Sequence, residues 1–326
     1  MKPVIKKCST MLAVTYESSA VKKIIVGLGE LLWDLLPSGE RLGGAPANFA
    51  VMASRLGNRG AIASRLGADD WGERARGILS AFPADLSFLQ SDPSQPTGTV
   101  GVKIVDGEPH YTINEPAAWD FLEWTPAWGE LATAADAVCF GTLAQRAETS
   151  RATIRAFVAA TRPECVRVFD VNLREPFYSA DIIAESLAGA TIFKLNEMEA
   201  PLVLGMLGAD MSFGEDEDGL RAAAAWLLEK YPVKLVAITL GANGSLLVTR
   251  DGAQRHQGVH GKVVDTVGAG DAFTAALVDS YLGGASLARM NEAGNRWGAW
   301  VASQPGAMPE LSASVLEEIR GKVAEI

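Results

Sequence analysis

Short apolar runs bounded by turn residues recur along the chain, with amphipathic stretches between them. Runs at 23–27, 61–64, 137–141, 166–171, 191–195 and 235–240 read as buried strands. Stretches at 46–56, 72–81, 151–161, 220–229 and 268–281 read as helices, the last three with apolar spacing near the helical period. Strands alternating with helices predict parallel crossovers and an α/β fold whose mostly parallel sheet is covered on both faces. One segment breaks the pattern: 97–105 alternates, Asp106-Gly107 is a hairpin turn, and 110–114 alternates again. It predicts a two-stranded antiparallel hairpin standing apart from the main sheet, either a lid that keeps water from a pocket or a structural edge hairpin. The acidic run at 215–218 reads as a solvated loop.

A chain of 326 residues suits one large α/β domain with a small appendage. The net charge of −10 disfavours nucleic acid or an anionic membrane as partner. It leaves room for a nucleotide that arrives with a metal ion and binds a local cradle. Cys8, Cys139 and Cys165 are odd in number and widely spaced, so neither a disulfide framework nor a zinc site is implied, and a reduced cytoplasm is the expected compartment. His110, His256 and His260 are the only histidines, which argues against His-based metal sites and Ser-His-Asp hydrolysis. Residues 1–20 place lysines before an apolar patch too short for a signal-peptide core or a membrane span. They read as a disordered extension, or as an upstream start with Met11 as another candidate, ahead of a folded domain at 21–326.

The most informative stretch runs from Val264 to Phe273, Val-Asp-Thr-Val-Gly-Ala-Gly-Asp-Ala-Phe. Gly268, Ala269 and Gly270 permit a turn that exposes successive N–H groups at the start of an apolar helix, a ready site for an anion. A carboxylate beside such a cradle is repelled by phosphate. Asp271 therefore makes sense as a base that takes a proton from a hydroxyl while the cradle holds the phosphoryl group under attack. The alternative is a tight loop with Asp271 as a cap. A second glycine-rich segment, Gly43-Gly44-Ala45-Pro46-Ala47-Asn48, leads into another helix; it suits close approach to a polyhydroxylated ligand, or simply packing. Asn196 and Glu199, three apart at a helix start, read as a capping pair, a metal-organising pair, or both. Gly27-Leu28-Gly29 lacks the third glycine of a dinucleotide fingerprint, and no Walker-type phosphate loop is present.

Together, and in this order, the Gly43–Asn48 and Val264–Phe273 segments resemble the two signatures of the ribokinase-like carbohydrate kinases, the PfkB family, over 21–309. The resemblance implies a three-layer αβα sandwich with a small β lid, whose elements lie around 34–42 and 95–118. It implies transfer of the γ-phosphate of ATP to a primary hydroxyl of a small sugar. In that reading Asp271 is the base, with Gly268, Ala269 and Gly270 as its cradle. Asp34, Gly43, Gly44, Asn48 and Arg174 face the sugar, and Asn172, Lys194, Thr239, Gly241, Gly244 and Asn295 face ATP. Asn196 and Glu199 organise magnesium through water, and carbonyls near Asp265, Val267, Ser303 and Gly306 offer a seat for potassium. The string Gly-Gly-Ala-Pro-Ala-Asn is closer to fructokinases than to ribokinases, and 115–120 departs from plant-type fructokinases toward a bacterial fructokinase-like subgroup. Fructose is the expected acceptor. A kinase for 2-keto-3-deoxygluconate, ribose or a nucleoside stays open, as does a catalytically silent sugar-binding regulator, against which the intact Asp271 stands. The lid hairpin offers an edge through which a homodimer is expected to form.

Overall fold

The computed structural model describes residues 22–36, 39–105, 108–209, 214 and 216–326. The expected extension at 1–20 and the Asp106-Gly107 turn lie outside them. In chain order the strands are β1 (Ile24–Leu28), β2 (Leu32–Leu36), β3 (Gly39–Gly43), β4 (Arg59–Gly67), β5 (Leu89–Asp92), β6 (Gly98–Val105), β7 (Glu108–Ile113), β8 (Ala137–Phe140), β9 (Val166–Asp170), β10 (Ile192–Asn196), β11 (Leu235–Thr239), β12 (Ser245–Thr249) and β13 (Gly252–His256). The helices are α1 (Ala45–Arg55), α2 (Asp70–Leu79), α3 (Pro126–Ala134), α4 (Glu148–Ala160), α5 (Ala180–Gly189), α6 (Glu199–Met206), α7 (Glu217–Lys230), α8 (Ala269–Leu282), α9 (Leu287–Ala302) and α10 (Ala313–Ala324).

Nine strands form the central sheet, ordered β13-β12-β11-β10-β9-β8-β1-β4-β5. From β11 to β5 all neighbours pair in parallel; β12 and β13 add an antiparallel edge. The two-residue period of a strand sends adjacent side chains to opposite layers. Val26 packs with Trp128, Phe157 and Ile183 from α3, α4 and α5, whereas Ile25 packs with Phe49, Leu277 and Trp297 from α1, α8 and α9. This is the expected three-layer αβα arrangement. The strand order reverses between β1 and β8, and ligands of open α/β sheets bind past the carboxyl ends of the strands at such a point.

The hairpin pairs β6 with β7 antiparallel and stands apart from the central sheet as expected; it is extended by the 32–43 segment into a four-stranded sheet, β3-β2-β6-β7, in which β2 pairs antiparallel with β3 and parallel with β6. Polar Asp34, Glu40 and Arg41 interrupt the apolar pattern of 32–43, so only the hairpin half is visible locally. One expectation is corrected: the described residues of the acidic run, 216–218, are solvated but start a helix rather than forming a loop. Asp216 caps α7 by accepting the N–H of Gly219, and Glu217 pairs with Arg221 one turn on, where the helix dipole favours negative charge. Asp120, within the 115–120 segment, forms a buried ion pair with Arg146, whose guanidinium stacks 3.9 Å from the ring centre of Trp119. That segment braces the end of the lid against the start of α4. Among the described residues no helix is long and apolar enough to cross a membrane, and Cys139 and Cys165 are free and buried.

Candidate active site

The N-terminus of α8 is built around Gly268, whose φ of +79° suits glycine, and a Cβ there would lie 2.5 Å from the Cβ of Ala307. Ala269 is not part of the cradle as expected: its N–H donates to the carbonyl of Thr266 at 3.2 Å. Gly270 and Asp271 follow in the first turn, where amides have no partner within the helix. The Asp271 carboxylate accepts a 2.8 Å hydrogen bond from Nδ2 of Asn48. Asn48, expected to face the sugar, spends its amide nitrogen on Asp271, and its Oδ1 is buried with no partner among the described residues. The approach of α1 needs Gly44, with φ of +116°, because a Cβ would sit 2.5 Å from the carbonyl oxygen of Glu30. Burial pushes the Asp271 carboxyl up to about 6, with a contribution from Asp170; Asn48, Lys194 and Arg174 act the other way. At neutral pH it is ionised yet more basic than an ordinary carboxylate.

On one side of this turn opens a cavity of about 780 Å³ lined by Lys194, Asn196, Thr239, Gly241, Gly244, Gly270 and Asn295. The structure thus brings together five of the six residues expected at ATP, with Asn196 beside them. Asn172 is the exception. It adopts φ of +39° and lines a smaller cavity beneath Asp271 instead. Lys194 is buried, with Nζ 3.1 Å from Asp170 Oδ1 and 3.2 Å from where a Cβ on Gly270 would stand. Burial works against its charge, but Asp170, Glu199 and Asp271 raise its pKa overall. Asn295 forms part of the wall, its Nδ2 bound to Ser245 Oγ at 2.7 Å and to the Asn291 carbonyl at 2.8 Å.

Asn196 and Glu199 cap α6 reciprocally. Asn196 Oδ1 accepts the N–H groups of Met198 and Glu199, while Glu199 Oε2 accepts that of Asn196 at 2.8 Å and Oε1 that of Leu173 at 2.9 Å. The capping half of the expectation therefore holds. Each carboxylate oxygen keeps a lone pair, so the pair suits magnesium held through its own waters, the usual way that ion binds. Among the described residues no group of three His, Cys, Asp or Glu stands ready to hold a metal.

On the lid side, Asp34 in β2 faces Arg41 in β3, and a Cβ on Gly43 would lie 3.2 Å from Asp34 Oδ2. Burial raises the Asp34 pKa against the pull of Arg174 and Arg41. Arg174 is exposed, and its charge reaches Asp34, Glu30 and Asp271. Arg41 also pairs with Asp265, whose carboxylate accepts the N–H groups of Val267 and Gly306 at 3.1 Å each. Of the four residues expected to seat potassium, Val267 and Gly306 thus donate to the carboxylate of a third, Asp265, with Arg41 as its positive neighbour. Ser303 instead ends α9, its N–H bound to the Ala299 carbonyl.

The model of the pfkB family carbohydrate kinases matches residues 38–313. The chain belongs to this family. It is 30% identical to probable fructokinase-2 of Arabidopsis thaliana over 318 residues, covering 89% of this chain and 93% of that protein. It is 30% identical to the fructokinase of Escherichia coli over 305 residues, covering 87% and 94%. The structure of fructokinase from Vibrio cholerae O395, in its fructose, ADP and calcium ion bound form, matches with a TM-score of 0.72 at 27% identity, covering 92% of this chain and 99% of that one.

As a carbohydrate kinase, the chain presents a basic carboxylate at a helix N-terminus, a buried lysine beside it and a large cavity on the far side. Two features escape a reading of the sequence alone. His256 Nε2 lies 2.8 Å from Glu292, while its Nδ1 accepts the N–H of Gly258, bracing the cavity wall where Gly258 meets Gly244. Glu30, directly after β1, is buried beside Asp271. The signal for Glu30 is a lone carboxylate inside the apolar stretch at 24–33.

Proposed function

We propose that this kinase transfers the γ-phosphate of ATP to a primary hydroxyl of fructose by direct in-line attack. The observation that carries this reading is Asp271, fixed by Asn48 at the N-terminus of α8, between the lid-side groups and the 780 Å³ cavity. Asp34 and Arg174 orient the sugar hydroxyls, helped by the open backbone at Gly43 and Gly44. Asp271 removes the proton from the attacking hydroxyl. The amides of Gly270 and Asp271, with the Lys194 ammonium, meet the charge on the transferred phosphoryl group. Glu199 and Asn196 would hold magnesium through its waters, and the ion when bound would neutralise charge on the ATP phosphates. Fructose as acceptor is supported by the two relatives named as fructokinases and by the fructose bound in the Vibrio cholerae enzyme.

A coupled ADP-release assay tests this with fructose, glucose, ribose, 2-keto-3-deoxygluconate, fructose 6-phosphate and adenosine. A clear preference for fructose is expected. Preference for another acceptor keeps the reaction and replaces the substrate. Absence of turnover with all of them, in a folded protein that binds sugar, favours the silent regulator.

The pH profile carries its own prediction. Because the base works ionised, kcat/KM falls about tenfold per pH unit below its pKa of about 6. Asn48→Ala removes the hydrogen bond that stabilises the charged form. Such bonds are worth about 1.5–3 kcal/mol, so the acid limb moves up by about one to two pH units. An unmoved limb would mean that Asp271 is not the group being titrated.

A further inference from the structure

Glu30 is 4% exposed, and among the described residues its Oε2 has no hydrogen-bond partner. It lines a small cavity together with Asp271, Asp170, Asn172, Thr142 and Thr274. About 10 Å³ of that cavity is open to the centre of a water molecule, which is room for one water. The walls are polar enough to hold it, since a buried water needs two to four partners. An ionised carboxylate with an orphaned oxygen is expensive to bury, whereas a neutral carboxyl becomes a donor that can bond the water.

We propose that Glu30 is the proton-bearing partner of Asp271: its carboxyl donates to one trapped water, which donates to Asp271 and leaves the single negative charge of the pair on the catalytic base. Two carboxyls sharing one poorly solvated pocket share a proton rather than both ionise. Asn48, Lys194 and Arg174 favour the charged form of Asp271, so the charge belongs there. Burial pushes Glu30 up to about 7, its own backbone opposing; Asp271 adds to the rise, while Arg174 and the backbone of Ala45 oppose it. The remaining titratable groups facing this cavity are Asp170 and Cys139, and burial pushes the Cys139 thiol well up, so it stays neutral. Glu30 is a positioning residue, acting on the base through water. Its kinetic consequence rests on the kinase reading; its protonation does not.

Infrared difference titration of the full chain tests the protonation. The carbonyl stretch of a buried carboxylic acid is expected at pH 6.5 in the wild type and in Asp271→Asn, fading as the pH rises past 7 to 8; Glu30→Gln keeps only the weaker band of Asp271, which fades near pH 6, and the double variant Glu30→Gln/Asp271→Asn shows neither. Kinetics test the consequence. Glu30→Gln keeps shape and donor, so kcat at pH 7 stays within about threefold, and the fall in rate that accompanies Glu30 ionisation on the alkaline side disappears. Glu30→Leu, without a donor, loses about tenfold in kcat with little change in KM, the size expected for one lost hydrogen bond. No such band in the wild type, or both variants matching its kcat and pH profile, would overturn the proposal. A band in a protein that phosphorylates no sugar would retain the Glu30 assignment and remove the kinase reading.

Discussion

Asp271→Asn is expected to lower kcat by about 10³-fold while KM for either substrate changes little, because a general base contributes about 10²–10⁴ to rate. The substitution keeps the shape of the side chain and an oxygen that can accept the hydrogen bond from Asn48. It removes only the capacity to take a proton. It is also not expected to weaken the fold. The folded pKa of Asp271 is raised from an ordinary 3.8 to about 6. The native state therefore binds that proton more tightly than the unfolded chain, and the charged form is a burden on stability above about pH 4, growing until pH passes 6. A neutral Asn carries no such burden, so the thermal midpoint at pH 7 should hold or rise. A folded variant with near-normal turnover would remove Asp271 from the chemistry.

Lys194→Met should damage stability and nucleotide binding together. Lys194 and Asp170 are both almost fully buried and sit 3.1 Å apart, with Thr274 Oγ1 on the other Asp170 oxygen at 3.2 Å. Removing one partner of a buried pair strands the other charge, at a cost of about 3–5 kcal/mol. The ammonium also faces the large cavity beside Gly270, so KM for ATP should rise by about tenfold or more. The double variant Lys194→Met/Asp170→Asn separates the two roles: stability should largely return, while the nucleotide defect should persist. A single variant with unchanged thermal midpoint and unchanged KM for ATP would contradict both.

What can be read from the sequence follows the range of the interactions that set each element. The start of α8 is legible because its turn, its apolar helix and its carboxylate lie within ten consecutive residues from Val264 to Phe273. The central strands are legible because burial on both faces leaves unbroken apolar runs. The lid is half legible. β6 and β7 form a local hairpin, but β2 joins them through parallel pairing of Leu32 with Gly98, across a long stretch of chain that carries no local signal. Asn48 and Ala269 show the limit at the site itself. Motif position places both near the chemistry, yet only the geometry shows Asn48 holding Asp271 and the Ala269 amide committed to Thr266. Lys194 stands as a charge inside the apolar strand Ile192–Asn196, a pattern that signals a buried partner without naming Asp170.

The most direct test is phosphorus NMR of reactions containing fructose, ATP and magnesium, run side by side with the wild type and Asp271→Asn. One phosphomonoester on a primary hydroxyl of the sugar should form for each ADP released by the wild type, and almost none with the variant over the same time. ADP released without a sugar phosphate, or the same product at the same rate from the variant, would contradict base-assisted transfer at Asp271.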